Sequence, residues 1–436
     1  MTPAARVAAA IDILGLVDAL GRPADRVVDR WYRGHRFAGS KDRVAINAMV
    51  YGVLRQRAKL AWIIEKCGDR QLVGPRLMVL AQLVLDRGED QSCVKALFDS
   101  SRFGPPALEQ HELDLLAAIW RCGAHPTGLP GWVEANCPEW LFHEVLGYLG
   151  DSTGAEFAAM QRRPPLDLRV NTLKATPEEA ARALAEENVV AERCPHASTG
   201  LRIAGRASVL GTRAYREGLV EVQDEGSQVA AALVQAQPGQ TVIDLCAGAG
   251  GKSLALAAAL MNRGVIHACD VNGSRLRRMA PRLWRAGVSI VEAYEISGTD
   301  DPWFAGHLAS ADRVLIDAPC TGTGTIRRNP DLAWRLSPAD TERNVSMQRA
   351  LLVRAADLVR PGGRLVYATC SLLEAENEQR VAEFLSEHPN FGPVPVGEVW
   401  TRVLDSPAPW ERDCVLLTPR RYGTDGFFIA ILERRE

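Results

Sequence analysis

Val242-Ile243-Asp244-Leu245-Cys246-Ala247-Gly248-Ala249-Gly250-Gly251-Lys252-Ser253 is the stretch on which the reading of this chain turns. An apolar run spells a buried strand, three glycines spell a tight turn, and Lys252–Leu260 has helical spacing. Glycines let a backbone approach a ligand closely, and a helix start offers N–H groups with no internal partner. Two phosphate fingerprints nearly fit and both fail. A P-loop needs glycine where Cys246 stands, and a GxGxxG motif needs glycine where Ser253 stands. What remains is a loop for a nucleoside cofactor without a full phosphate cradle.

Working outward, strand candidates recur at Thr241–Leu245, Val265–Asp270, Ser289–Ala293, Arg313–Asp317 and Arg364–Thr369. Helical patterns lie between them, notably Lys252–Leu260, Ser274–Arg285 and Met347–Val359. That alternation predicts a doubly wound parallel sheet, with Cys414–Thr418 and Gly426–Leu432 completing it as antiparallel strands. Asp270 ends the second strand, where such sheets place a carboxylate for ribose hydroxyls. Adenine and ribose without phosphates point to S-adenosyl-L-methionine as the expected cofactor. No metal site is expected.

The fourth strand runs into Asp317-Ala318-Pro319-Cys320-Thr321-Gly322-Thr323-Gly324, and the fifth into Tyr367-Ala368-Thr369-Cys370-Ser371. Both cysteines therefore fall at carboxyl ends of strands, the ligand edge of an open sheet. A methyl donor beside thiols suggests a pyrimidine as acceptor. Its carbon 5 is a poor nucleophile until a thiolate adds at carbon 6, which splits one hard step into easier ones. The attacking thiol needs a lowered pKa or a neighbouring base.

With Ile326-Arg327-Arg328-Asn329-Pro330-Asp331 and Glu374-Ala375-Glu376-Asn377, these motifs resemble the RsmB/Sun-type RNA 5-methylcytosine methyltransferases. Arg169-Val170-Asn171-Thr172, Val222–Ser227 and the tail Gly423-Thr424-Asp425-Gly426-Phe427-Phe428 share the likeness. Gly39–Arg43 and Tyr51–Arg55 resemble that family's NusB-like RNA-binding domain. The resemblance implies Cys370 as nucleophile, Cys320 as an aid to product release and Asp317 between methyl donor and cytosine. It implies a cofactor site of Cys246, Ala247, Gly248, Ala249, Gly250, Gly251, Lys252, Asp270 and Asp317. DNA cytosine methyltransferases attack instead with the Pro-Cys thiol, which keeps Cys320 as the competing nucleophile. The family's loop reads Cys-Ala-Ala-Pro-Gly-Gly-Lys, whereas Gly248-Ala249-Gly250 stands in its middle here. After the third strand the family has an aspartate near the adenine; here Tyr294 falls in that register, with Glu295 next to it as the alternative acid.

The expected architecture is multidomain: an all-α NusB-like domain (1–138), a small α+β RNA-recognition-like unit (139–235) and a Rossmann-like class I methyltransferase domain (236–436). The boundary signals near 126–138 are Pro126, Gly128 and Pro138. The expected substrate is small-subunit ribosomal RNA, with transfer RNA or a non-catalytic assembly role as alternatives. A monomer in the cytoplasm without a membrane span completes the expectation. The 10 cysteines form no CxxC pair, which fits reduced thiols.

A net charge of −2 over 436 residues argues, taken whole, against a polyanion partner. The distribution argues otherwise. Residues 1–60 carry +6 and residues 271–290 carry +5, leaving −13 on the remainder. In Arg30–Phe37 bases alternate with aromatics, and Arg33 and Arg36 are candidate phosphate contacts there. Arg327 and Arg328, close behind Cys320, are two more. The arginines of Ser274–Gly287 read equally well as a phosphate-binding face or as an ordinary solvated one.

Overall fold

In a computed structural model of the chain, residues 1–436 are described apart from 69–72, 88–90, 124–126, 206, 405 and 409–412; of the side chains at 86, 87 and 122 nothing is said. The start of the expected first boundary, at Pro126, lies outside the described residues. The chain divides into two compact units, Met1–Arg163 with Ile326–Leu336, and Pro164–Thr325 with Ser337–Glu436. No described helix is long and apolar enough to cross a membrane.

The first unit is helical, with helices Pro3–Leu20, Ala24–Gly34, Ser40–Arg55, Arg57–Cys67, Pro75–Arg87 and Gln110–Cys122 among its elements. Local chemistry sets the ends of the first one. The Thr2 hydroxyl accepts from the Ala5 N–H, Pro3 opens the first turn, and left-handed Gly21 closes the last. The apolar stretch 43–67 reads as continuous in sequence but is broken at Gln56. Buried Asn136 intervenes, accepting from the Ala58 N–H at 2.8 Å and donating to the Leu54 carbonyl at 3.1 Å. Ile13, Ile46, Leu54, Leu60 and Ile63 fill the core between the helices.

The second unit holds two sheets. Strands β1 (Leu166–Val170), β2 (Ala191–Arg193), β3 (Gly200–Ile203) and β4 (Val220–Val222) form an antiparallel sheet in the order β2-β3-β1-β4, covered by helix Pro177–Ala185. The larger sheet contains β5 (Thr241–Asp244), β6 (Val265–Asp270), β7 (Val291–Glu295), β8 (Ala311–Asp317), β9 (Val359–Thr369), β10 (Phe391–Val394), β11 (Cys414–Leu417) and β12 (Phe427–Arg434). Its order is β10-β12-β9-β8-β5-β6-β7, with β11 also on β12. Strands β5 to β9 run parallel, while β12 pairs antiparallel with β9, β10 and β11. The chain leaves β5 in one direction and returns as β8 on its other side. This reversal opens a crevice at the carboxyl edge between β5 and β8.

Several elements differ from the sequence reading, among them β9, which begins at Val359 rather than Arg364, and the following three. Strand β7 lies two residues later than Ser289–Ala293, so Glu295 ends it. The Ser274–Arg285 helix is two, Gly273–Arg277 and Met279–Ala286, since Pro281 has no N–H to continue the first and is tolerated in the opening turn of the second. The helix expected at Met347–Val359 runs from Pro338 to Leu358. The signals for its start are Pro338 at the first helical position and Asp340, whose carboxylate accepts from the Ser337 N–H and hydroxyl.

Candidate active site

Strand β5 delivers the glycine turn to the crevice. Gly248 (φ +57°) and Gly250 (φ +79°) are left-handed. A Cβ on Gly248 would sit 2.5 Å from the Arg275 guanidinium, and one on Gly250 would sit 2.4 Å from Met279. The left-handed backbone is what favours glycine at both positions, since the neighbours are side chains that can move. The Asp270 carboxylate, at the end of β6, closes the turn by accepting from the Gly248 N–H at 2.8 Å, while its other oxygen accepts from the Asn272 N–H at 2.8 Å. The turn's remaining backbone is held from behind. Arg282 donates to the Ala249 carbonyl at 2.5 Å, and fully buried Arg169 donates to the Gly251 carbonyl at 2.7 Å.

Lys252, the first side chain past the turn, is buried over the Phe427 ring and pairs with Asp317 at 2.7 Å. Asp317 ends β8 and is about one-third exposed, so one face of the pair meets the crevice. Asp244 lies beneath the turn, wholly buried, accepting from the Ser253 hydroxyl at 2.7 Å. Burial raises its carboxyl to about 7.

Cys320 and Cys370 face each other, Sγ to Sγ 3.4 Å. That is hydrogen-bond contact between free thiols, far longer than a disulfide. Their hydrogen bond and burial push the Cys320 thiol well above its usual range. Cys246 and Cys269 are also pushed up, by burial first, and both pack against the apolar core. The loops carrying the two thiols are stitched by main-chain bonds from Gly324 N–H to the Cys370 carbonyl, 2.9 Å, and from Gly426 N–H to the Gly324 carbonyl, 2.8 Å. A Cβ on Gly324 would lie 2.3 Å from the Gly426 carbonyl oxygen, which explains glycine in both motifs. The tail and Val222–Ser227 also meet, through the Asp425 N–H on Asp224.

After the third strand, Tyr294 and Glu295 make different contacts. Tyr294 donates to Glu292 and packs on His267 and Trp303. Glu295 pairs in register with Asp270 and lies against Gly273, where a Cβ would be 1.9 Å from its carboxylate.

The expected arginine contacts fare unequally. Arg33 and Arg36 are exposed, and with Asp29, Tyr32 and Arg43 they line a cavity of about 560 Å³ on the helical unit. Of the rings beside them, Phe37 is 68% exposed, whereas Trp31 and Tyr32 are buried. Trp31 is buried against His35 and donates to Asp12, and Tyr32 donates to Asn47 beneath Arg43. Arg327 is only 4% exposed and Arg328 is half-buried, and each has an interaction within the chain. Their segment belongs to the helical unit, where Arg55 donates to the Arg327 carbonyl and Asp331 accepts from the Ala24 N–H. On the basic helix Arg282 and Arg285 pair with Glu221 of β4, an internal use that charge counting could not reveal.

A turn of left-handed glycines, closed by an acid and backed by a reversing parallel sheet, places the second unit among the Rossmann-like methyltransferase domains. Family models agree. That of the 16S rRNA methyltransferase RsmB/F matches residues 231–433, and that of the RsmF/B-like ferredoxin-like domain matches 137–210. The "Probable ribosomal RNA small subunit methyltransferase B" of Synechocystis sp. is 32% identical, over 94% of this chain and 95% of that protein. Among solved structures, PH0851 is 30% identical with a TM-score of 0.79, covering 100% of this chain and 99% of that one. A methyltransferase homologue from Pyrococcus horikoshii is 27% identical with a TM-score of 0.60, covering 70% and 97%. The chain belongs to the RsmB/F family of 16S rRNA methyltransferases.

Proposed function

We propose that this chain transfers a methyl group from S-adenosyl-L-methionine to carbon 5 of a cytosine in small-subunit ribosomal RNA, with Cys370 as the nucleophile. The observation that carries this reading is the pair of free thiols at 3.4 Å on the carboxyl edge, beside the Lys252–Asp317 pair. The glycine turn, Asp270 and Glu295 fit a nucleoside cofactor, since the turn carries two left-handed glycines and two carboxylates stand at adjacent strand ends. When bound, the cofactor supplies an electrophilic methyl group on sulfonium. Cys370 would add to carbon 6 of the ring, shifting the C5–C6 π pair to carbon 5. Carbon 5 would take the methyl group as the methyl–sulfonium bond breaks, its electron pair staying on the cofactor sulfur, which leaves as a neutral thioether. Loss of the C5 proton then lets the C6–S bond break, with its electron pair returning to the Cys370 sulfur. Cys320, in contact with that sulfur, assists this release. In this reading Asp317 accepts from the exocyclic amine of the base, and its pairing with Lys252 at 2.7 Å supports that role by fixing its orientation. Arg33 and Arg36 are proposed contacts to the RNA backbone of a NusB-like helical domain.

Incubation with cofactor and 16S RNA tests the assignment. Cys370→Ala should give neither 5-methylcytosine nor a covalent adduct. Cys320→Ala should accumulate an adduct stable on a denaturing gel. The reverse pattern would make Cys320 the nucleophile, and methylation of transfer RNA in preference to 16S RNA would overturn the substrate.

A further inference from the structure

Glu376 lies in the turn Glu374–Glu376 after β9, is fully buried, and has no part in the chemistry above. A carboxylate is costly to bury unless its oxygens are met by donors, and here both are. Oε1 accepts from the Thr321 N–H at 2.9 Å and from Gln348 Nε2 at 3.2 Å. Oε2 accepts from the Thr321 and Ser371 hydroxyls, each at 2.5 Å. Thr321 is the residue after Cys320, and Ser371 is the residue after Cys370. One carboxylate therefore grips both cysteine loops. Gln348 also donates to the Pro319 carbonyl at 2.9 Å, just before Cys320. On the other side Asn377 donates to the Ser371 carbonyl at 3.1 Å, and the Tyr367 hydroxyl donates to Glu376's own carbonyl at 2.7 Å.

We propose that Glu376 is the positioning residue of the thiol pair, its buried carboxylate fastening the two loops together and making the two sulfurs chemically unequal. The inference rests on reading Cys370 and Cys320 as the reacting pair. The titratable groups acting on Cys320 are Cys370 and Glu376, with Tyr367 of β9 coupled to it; Lys252 and Asp317 are paired with each other. After the Cys370 hydrogen bond and burial, the Glu376 charge adds to what holds the Cys320 proton in place. Cys320 is then kept as a thiol, able to donate to the Cys370 sulfur as it leaves carbon 6. Without the carboxylate, the Cys320 proton would be held less firmly and the loops would lose their shared anchor.

The test begins without RNA or cofactor, so its outcome is separate from that of the cytosine-5 reading. In a Cys370→Ala background, iodoacetamide labelling of Cys320 is followed peptide by peptide against pH, with and without Glu376→Gln. The substitution should lower the labelling midpoint by about one unit, which is about tenfold faster labelling well below the midpoint. In the otherwise unaltered chain, Glu376→Gln should lower kcat at least about tenfold, with RNA KM and cofactor Kd within about twofold. A folded Glu376→Gln protein with an unmoved Cys320 midpoint would overturn the proposal. If Glu376→Gln does not fold, Glu376→Asp keeps the charge and shortens the reach. That variant should retain the midpoint but lose kcat, and wild-type kcat in it would equally overturn the proposal.

Discussion

Asp244 shows what one buried group costs and why the site keeps it. Its position under the glycine turn is fixed by β5, and its carboxylate accepts a hydrogen bond from the Ser253 hydroxyl. Burial, reinforced by the charge of Asp317, takes its carboxyl from 3.8 to about 7, against the opposing Ser253 bond. A folded pKa above the unfolded one means the folded chain binds more protons. Stability therefore falls as pH rises from about 4 to about 7, and the loss is complete above that window. Asp244→Asn should accordingly show its Tm improving relative to the parent between pH 5 and pH 8 in the cofactor-free protein. A relative gain of about 2–4 °C corresponds to about 1 kcal/mol in a domain of this size. A Tm difference that does not move with pH would uncouple Asp244 from stability.

Strand β4 and helix Met279–Ala286 are joined by one acid. Glu221 takes Arg282 and Arg285, and Arg282 in turn holds the Ala249 carbonyl of the cofactor turn. From the same antiparallel sheet, Arg169 of β1 holds Gly251. The small sheet is thereby part of the apparatus that shapes the cofactor loop. Removing one partner of a mostly buried ion pair costs about 3–5 kcal/mol, and the partial exposure of both arginines places this one near the lower end. Glu221→Ala should lower Tm accordingly and also weaken cofactor binding about tenfold, or about 1.4 kcal/mol. Calorimetric titration with cofactor separates the two effects, since a merely destabilised sheet would lower Tm and leave Kd unchanged.

At the scale of the whole chain, the second unit is discontinuous in sequence. Residues 326–336 leave it just after the Pro-Cys loop and pack within the helical unit, where Ile326 and Ala333 are buried and Arg57 lies over the Trp334 ring. A fragment starting at residue 164 would leave those surfaces without their cover. Trypsin should then cut after Arg327, Arg328 or Arg335 in that fragment at least about tenfold faster than in the full chain, because cleavage follows the population of open forms. Equal rates, read by mass spectrometry, would show that the segment holds its conformation without the helical unit.

Local sequence determined the strand–turn–helix rhythm, the glycine turn, the acids at strand ends and the two cysteines on one edge. Each follows from the periodicity of neighbouring residues and from the rule that parallel strands present their carboxyl ends together. Even the wrong boundaries were local errors, as at Pro281 and Ser337, whose signals were in the sequence and carry a known mechanism. The tertiary structure alone decided which charges meet. Arg282 and Arg285 look like Arg33 and Arg36 in a charge count, yet the first two close on Glu221 and the others face outward. Glu376 was legible as part of a motif, but its grip on both thiol loops depends on Thr321, 55 residues away. Those outcomes are set by long-range packing. A side chain's partners are fixed by which strands and helices come together, and no spacing along the chain encodes that.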